Sequence, residues 1–127
     1  MATILIVEDV PSVMLSLRVV LEGQGHQVLG AGNGDAGLQQ LQRGGIDLVI
    51  TDIWMPGKHG STVIAEGRQI APDMRFLAIT GGAPNGSVTR DQLTREGTDF
   101  GADRILFKPF KREELIAAVT ELLPQAA

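Results

Sequence analysis

Residues 48–57 read Leu-Val-Ile-Thr-Asp-Ile-Trp-Met-Pro-Gly, a short apolar run that ends in a carboxylate. The first four residues, Leu48–Thr51, are apolar or β-branched without polar alternation, which is typical of a strand buried on both faces of a parallel sheet. Asp52 follows this strand and precedes Pro56, a position that helix capping does not explain. The stretch predicts an α/β fold with an acidic group at the edge of its sheet.

Similar runs recur on both sides of this stretch and alternate with helical patterns. The predicted strands are Thr3–Val7, Gln27–Leu29, Leu48–Thr51, Phe76–Ile79 and Ile105–Phe107. Apolar residues at helical spacing lie between and after them, at Met14–Leu21, Ala36–Leu41, Val63–Ile70 and Leu115–Leu123, while residues 88–100 form a fourth, polar and weakly patterned segment. Five β segments and five α segments therefore follow one another in strict alternation.

This alternation, without a boundary-like linker, predicts one doubly wound α/β domain over residues 1–127. We expect a five-stranded parallel sheet, flavodoxin-like in its strand order 2-1-3-4-5, with helices on both faces. In such sheets the functional crevice lies beyond the carboxyl ends of the strands, at the switch point in strand order.

Composition and charge exclude several kinds of function. The chain has no cysteine, so disulfides and thiolate metal sites are excluded. Its net charge of −4, one tryptophan and lack of tyrosine argue against a nucleic-acid partner. A signal peptide begins with basic residues, and the first residues of this sequence carry none. No segment is long enough to span a bilayer. We expect a soluble, cytoplasmic protein that does not bind membranes.

The predicted strand ends bring together one set of ionisable and polar groups. They are Glu8 and Asp9 after the first strand, Asp52 after the third, Thr80 after the fourth and Lys108 after the fifth. Two carboxylates about 4 Å apart repel by roughly 4 kcal/mol at an effective dielectric constant near 20, so three require a proton or a cation. Carboxylates without histidine or cysteine favour a hard cation such as Mg²⁺. With the charge neutralised, one carboxylate can attack phosphorus and form an acyl phosphate.

This series of strand-end residues resembles the receiver domain of two-component response regulators. The likeness runs from Ile4–Asp9 through Asp52–Gly57 and Gly101-Ala102-Asp103 to Lys108-Pro109-Phe110, which is most of the chain. It implies that Asp52 accepts a phosphoryl group from a histidine kinase or a histidine phosphotransfer protein. It also implies a signalling phosphoacceptor that promotes its own phosphorylation and dephosphorylation, rather than a conventional enzyme.

The resemblance also assigns roles to the residues around Asp52. Mg²⁺ would be held by Asp9 directly, by Glu8, by Asp52 and by the backbone carbonyl of Trp54. Thr80 would bind the phosphoryl group and Lys108 would pair with its oxygens, next to a cis Lys108–Pro109 bond. These roles follow from the resemblance and not from spacing alone.

Other functions fit the same residues less well. A flavodoxin-like electron carrier would need a phosphate-binding loop after the first strand, where Glu8-Asp9 would repel the flavin phosphate. A phosphatase of the haloacid dehalogenase type would need a second aspartate two residues after the nucleophile, where this chain has Trp54. Asp9 alone could be a helix cap. The remaining alternative is a receiver-like interaction module that is not phosphorylated.

Three features depart from the usual receiver pattern. Ile105 stands three residues before Lys108, where receivers usually have an aromatic residue. The stretch from Thr80 to Lys108 is longer than usual, and Trp54 is larger than the residues common at its position. Because no output domain follows in this sequence, we expect output through protein contacts of the fourth helical segment, the fifth strand and the last helix.

Overall fold

The computed structural model describes residues 2–81 and 101–123. Within them lie five strands and four helices. The strands are β1 (Thr3–Val7), β2 (Gln27–Ala31), β3 (Leu48–Asp52), β4 (Phe76–Thr80) and β5 (Arg104–Phe107). The helices are α1 (Pro11–Gly23), α2 (Gly34–Arg43), α3 (Gly60–Ile70) and α4 (Arg112–Leu122), the last of which is the final helical pattern of the sequence. The predicted fourth helical segment, residues 88–100, lies outside the described residues.

The strands form one parallel sheet in the order β2-β1-β3-β4-β5, so the predicted doubly wound topology is confirmed. Their predicted positions are also confirmed, with small differences at the ends. Asp52 and Thr80 are the last residues of β3 and β4 and not the first residues of the following loops. Strand ends depend on pairing with the neighbour, as in Asp52 opposite Ile79, which the local pattern does not contain.

Apolar side chains of the strands pack in two directions, because successive residues of a strand point to opposite faces. One face of the sheet, including Ile4 and Ile6, forms a core with α1 and α4. The opposite face, including Leu5 and Val7, forms a second core with α2 and α3. Helices therefore cover both faces, as the apolar strands predict. Within the described ranges, no helix is long and apolar enough to cross a membrane.

Strand register determines which side chains meet at the carboxyl edge of the sheet. Val7 lies opposite Thr51, so that Glu8, the first residue after β1, and Asp52, the last residue of β3, lie side by side. On the other side, Thr80 lies opposite Phe107, and the backbone N–H of Lys108 donates to the Thr80 carbonyl at 2.8 Å. Strands β1, β3, β4 and β5 therefore carry the predicted site residues to the carboxyl edge of the sheet.

Candidate functional site

Three carboxylates form a cluster at the carboxyl edge of the sheet. One oxygen each from Glu8, Asp9 and Asp52 lies within 4.8 Å of the others. Glu8 and Asp52 are buried and Asp9 is half-buried, so that the cluster opens to solvent on the side of Asp9. The N-cap of α1 is Val10 and no side chain caps this helix, so the alternative role of Asp9 as a cap is not observed.

Asp52 is held from two sides. The backbone N–H of Trp54 donates to Asp52 Oδ1 at 3.2 Å, and Lys108 Nζ lies 3.4 Å from Asp52 Oδ2. The first contact comes from the loop that follows β3, and the second from a residue 56 positions later in the chain. The carboxylate is thus oriented by backbone on one oxygen and faces a cation on the other.

The charged form of Glu8 lies in an unfavourable electrostatic environment. Its side chain is buried, and Oε1 has no hydrogen-bond partner among the described residues. Lys108 Nζ is 3.7 Å from this oxygen, which is within ion-pair range but long for a hydrogen bond. Burial first, and then the neighbouring Asp52 carboxylate, raise the pKa of Glu8 to about 8, against a smaller opposing effect of Lys108. A buried oxygen without a partner is one that a cation or a proton would satisfy.

The donor set of the cluster fits Mg²⁺. All three side chains offer oxygen, the ligand atom that hard cations prefer, and no histidine or cysteine joins them in the described part of the chain. The orphaned Glu8 oxygen and the excess of carboxylates over the single nearby ammonium both favour added positive charge. The residues present therefore suit such an ion.

Thr80 and Lys108 are neighbours at the ends of β4 and β5. Thr80 is buried at the end of β4, and Lys108 is about one-quarter exposed after β5. The peptide bond between Lys108 and Pro109 is cis, as the resemblance implied. Ile105, at the usual aromatic position, packs against the core beneath α2 and α3, whereas Phe107 is half-buried opposite Thr80.

The loop between β3 and α3 contains features that the sequence did not reveal. Trp54 is half-buried, and its ring meets that of His59 edge to face, with centroids 5.8 Å apart. A Cβ on Gly60 would collide with the backbone carbonyl of Asp52 and lie 2.8 Å from Ile53 Cα. Lys58 pairs with acidic residues of α2 and α3. A glycine eight residues after Asp52, at a helix start, was the available signal for the close approach; none existed for the ion pairs.

The structure thus brings Glu8, Asp9, Asp52 and Lys108 into one cluster and places Thr80 beside Lys108 through a backbone hydrogen bond. The backbone of Trp54 lies next to Asp52, since its N–H contacts the carboxylate. Residues 82–100, which include the polar fourth helical segment, lie outside the described residues.

Comparison with known proteins places this chain in a large family. A family model described as the response regulator receiver domain matches residues 4–120. PilH of Pseudomonas aeruginosa is 39% identical over 126 residues, which cover 97% of this chain and 98% of PilH. The transcriptional regulatory protein DltR of Streptococcus agalactiae is 33% identical over 116 residues, 91% of this chain but 49% of DltR. This chain therefore spans about half the length of DltR and nearly all of PilH.

Solved structures agree with the sequence comparison. The response regulator TrrA of Thermotoga maritima, in complex with Mg(2+)-BeF, is 32% identical and superposes with a TM-score of 0.82, over 97% of this chain and all of TrrA. The chemotaxis response regulator CheY4 of Vibrio cholerae is 27% identical with a TM-score of 0.85, over 97% of this chain and 99% of CheY4.

Proposed function

Because this chain belongs to the response regulator receiver domain family, we propose that Asp52 is the residue that accepts the phosphoryl group. Receivers are signalling phosphoacceptors that take this group from histidine kinases. For this chain the donor is a histidine kinase or a histidine phosphotransfer protein. One observation carries the assignment: among the described residues, Asp52 combines an ammonium 3.4 Å from one oxygen, a loop N–H 3.2 Å from the other, and two further carboxylates with oxygens within 4.8 Å.

The reaction transfers the phosphoryl group from nitrogen to oxygen. An Asp52 oxygen forms a bond to phosphorus while the P–N bond to the donor histidine breaks, and that electron pair returns to the imidazole. Little covalent chemistry is asked of the protein, so positioning and charge compensation provide nearly all of the acceleration. By the same groups the domain promotes the later hydrolysis of its acyl phosphate.

Mg²⁺ would be held by Glu8, Asp9, Asp52 and the backbone carbonyl of Trp54, and when bound it supplies positive charge against the phosphoryl oxygens. Lys108 supplies a second positive charge, 3.4 Å from Asp52 Oδ2. Thr80, at the end of the adjacent strand, offers a hydroxyl for a phosphoryl oxygen. The site thus offers carboxylates to a cation, and an ammonium and a hydroxyl to the phosphoryl oxygens.

The output is a change in protein contacts. The surface proposed for it comprises the 88–100 segment, β5 and α4, in the part of the chain that follows Thr80. DltR is named as a transcriptional regulatory protein, and that output is a property of DltR. The alternative, an interaction module that is not phosphorylated, would gain nothing from burying Glu8 beside Asp52 with an oxygen that lacks a hydrogen bond.

Phosphotransfer from purified histidine kinases of the same genome tests the proposal. Label from the kinase should move to this protein in the presence of Mg²⁺, and Asp52→Asn should abolish it. Asp73→Asn is the matched control, since Asp73 is exposed at the opposite edge of the sheet. Full labelling of Asp52→Asn would reject Asp52 as the acceptor. Failure of every kinase to label the parent would favour the unphosphorylated module.

A further inference from the structure

Lys58 joins three elements of the fold. It lies in the loop between β3 and α3, and its Nζ is 3.0 Å from Asp35 Oδ1 in α2 and 2.6 Å from Glu66 Oε2 in α3. The Lys58 side chain is 23% exposed, whereas those of Asp35 and Glu66 are 79% and 44% exposed. The ammonium therefore bridges two helices from within a loop, under partial cover.

The space for the Lys58 side chain is provided by a glycine. A Cβ on Gly34, at the start of α2, would lie 3.0 Å from both Cβ and Cδ of Lys58 and 2.8 Å from Val63 Cγ2. The aliphatic stem thus rests on the α2 backbone, and only Gly34 permits this approach. Hydrogen bonds to Glu66 and then Asp35 raise the pKa of the Lys58 ammonium, so it is charged at neutral pH.

The loop that Lys58 holds begins at the phosphoacceptor. Asp52 ends β3, the Trp54 N–H contacts its Oδ1, and Gly60 opens α3 with its N–H bonded to the Ile53 carbonyl at 2.9 Å. Within the described residues, the loop side chains offer no other ion pair to the helices. Lys58 is therefore the residue whose charge links this loop to α2 and α3, beside the buried Ile53 and Met55.

We propose that Lys58 is a positioning residue for the Asp52 site: its ion pairs with Asp35 and Glu66 hold residues 53–59 in the conformation that presents the Trp54 backbone to Asp52 and to a bound Mg²⁺. The inference rests on the proposed function, because the cation belongs to that function. It adds a role for a residue that touches neither the phosphoryl group nor the ion.

Lys58→Met tests this, since methionine keeps an unbranched stem and removes the ammonium. Calorimetric titration with MgCl₂ alone should give about threefold weaker binding at low salt, the range expected for the loss of exposed ion pairs. At an ionic strength of about 1 M the Debye length is roughly 3 Å, so the ion pairs are screened. The Mg²⁺ affinity of the parent should then approach that of the variant. Hydrogen exchange of the loop amides in the metal-free protein should be faster in Lys58→Met, with the urea midpoint little changed.

Two further variants act as controls. Lys58→Arg keeps the charge and should retain most of the parent affinity. Arg43→Met removes the same charge from the end of α2, far from the loop, and should bind Mg²⁺ as the parent does. Equal Mg²⁺ affinity and loop exchange in the parent and Lys58→Met would overturn the proposal, as would an equal loss in Arg43→Met. If the parent itself binds no Mg²⁺, the proposed function fails. Faster hydrogen exchange of the loop in Lys58→Met would still show that Lys58 holds residues 53–59 in place.

Discussion

The ammonium of Lys108 lies 3.4 Å from Asp52 Oδ2 and 3.7 Å from Glu8 Oε1, so one cation serves two buried carboxylates. Its backbone N–H is bonded to the Thr80 carbonyl, which fixes where the side chain starts. One positive charge cannot neutralise Glu8, Asp9 and Asp52 together. This imbalance makes the site responsive to cations and to pH.

Removal of the Lys108 charge should slow phosphoryl acceptance. In Lys108→Met we expect a loss of about a hundredfold in the rate of label transfer, the scale of losing one stabilising group at a developing anion. Arg75→Met, at the opposite edge of the sheet, is the control and should transfer at the parent rate. A Lys108→Met protein that accepts label as fast as Arg75→Met would remove Lys108 from the chemistry.

The raised pKa of Glu8 predicts a pH dependence of stability in the metal-free protein. The folded pKa is about 8 and the usual value is 4.5, so between these values the folded state binds more protons than the unfolded state. The free energy of unfolding should therefore fall as pH rises through this window, by at most about 1.4 kcal/mol per pH unit, and level off above it.

Urea unfolding from pH 5 to 9 in the presence of EDTA measures this fall. Glu8→Gln should flatten the profile and be more stable than the parent at pH 8.5, because it carries no charge to bury. Saturating Mg²⁺ should reduce the fall in the parent, since the ion binds the deprotonated carboxylate. A parent profile as flat as that of Glu8→Gln would contradict the assignment of a proton to Glu8.

Gly60 should be intolerant of any side chain. Gly60→Ala places a methyl group against the backbone carbonyl of Asp52 and near Ile53 Cα, neither of which can rotate away. We expect a loss of about 1–3 kcal/mol in unfolding free energy, the usual range for overpacking, and weaker Mg²⁺ binding. Gly23→Ala, where a methyl group meets nothing within 4 Å, should leave both unchanged or slightly raise stability. A Gly60→Ala protein as stable as the parent would show that α3 can move away from β3.

Trp54 should protect the acyl phosphate from water. It is the only tryptophan of the chain and lies two residues after Asp52, half-buried beside His59. Hydrolysis needs a water molecule in line with the P–O bond. An indole excludes water from that position, whereas the amide of an asparagine could orient a water molecule there. Trp54→Asn should therefore lose label faster than the parent after the donor is removed, and Trp54→Phe should not. Decay of Trp54→Asn at the parent rate would mean that the ring does not shield the site.

Fluorescence of the same residue reports binding. The backbone N–H of Trp54 contacts Asp52 Oδ1. Binding of Mg²⁺ or of a beryllofluoride complex at the cluster should therefore alter the fluorescence emission of the Trp54 indole. Asp9→Ala should weaken the Mg²⁺-dependent change, since it removes one carboxylate of the cluster. An unchanged titration curve in Asp9→Ala would exclude Asp9 as a ligand.

Local patterns in the sequence determined the strands, the described helices and the composition of the site. A buried parallel strand needs apolar residues on both faces, so Leu48–Thr51 could be assigned without knowledge of its neighbours. The carboxyl ends of parallel strands share one edge, so Asp52 and Lys108 could be expected to meet. Alternation of elements gave the doubly wound sheet, and the order β2-β1-β3-β4-β5 agreed with it.

Tertiary structure alone decided how these groups interact. The 3.7 Å gap that leaves Glu8 Oε1 without a hydrogen bond depends on the register of β1, β3 and β5. Asp103 accepts from both Arg68 and the Phe76 N–H, and Lys58 reaches Asp35 and Glu66. These partners are separated by 8 to 35 positions. Their meeting depends on packing angles and on space left by glycines such as Gly34, and neither is encoded in any short stretch of sequence.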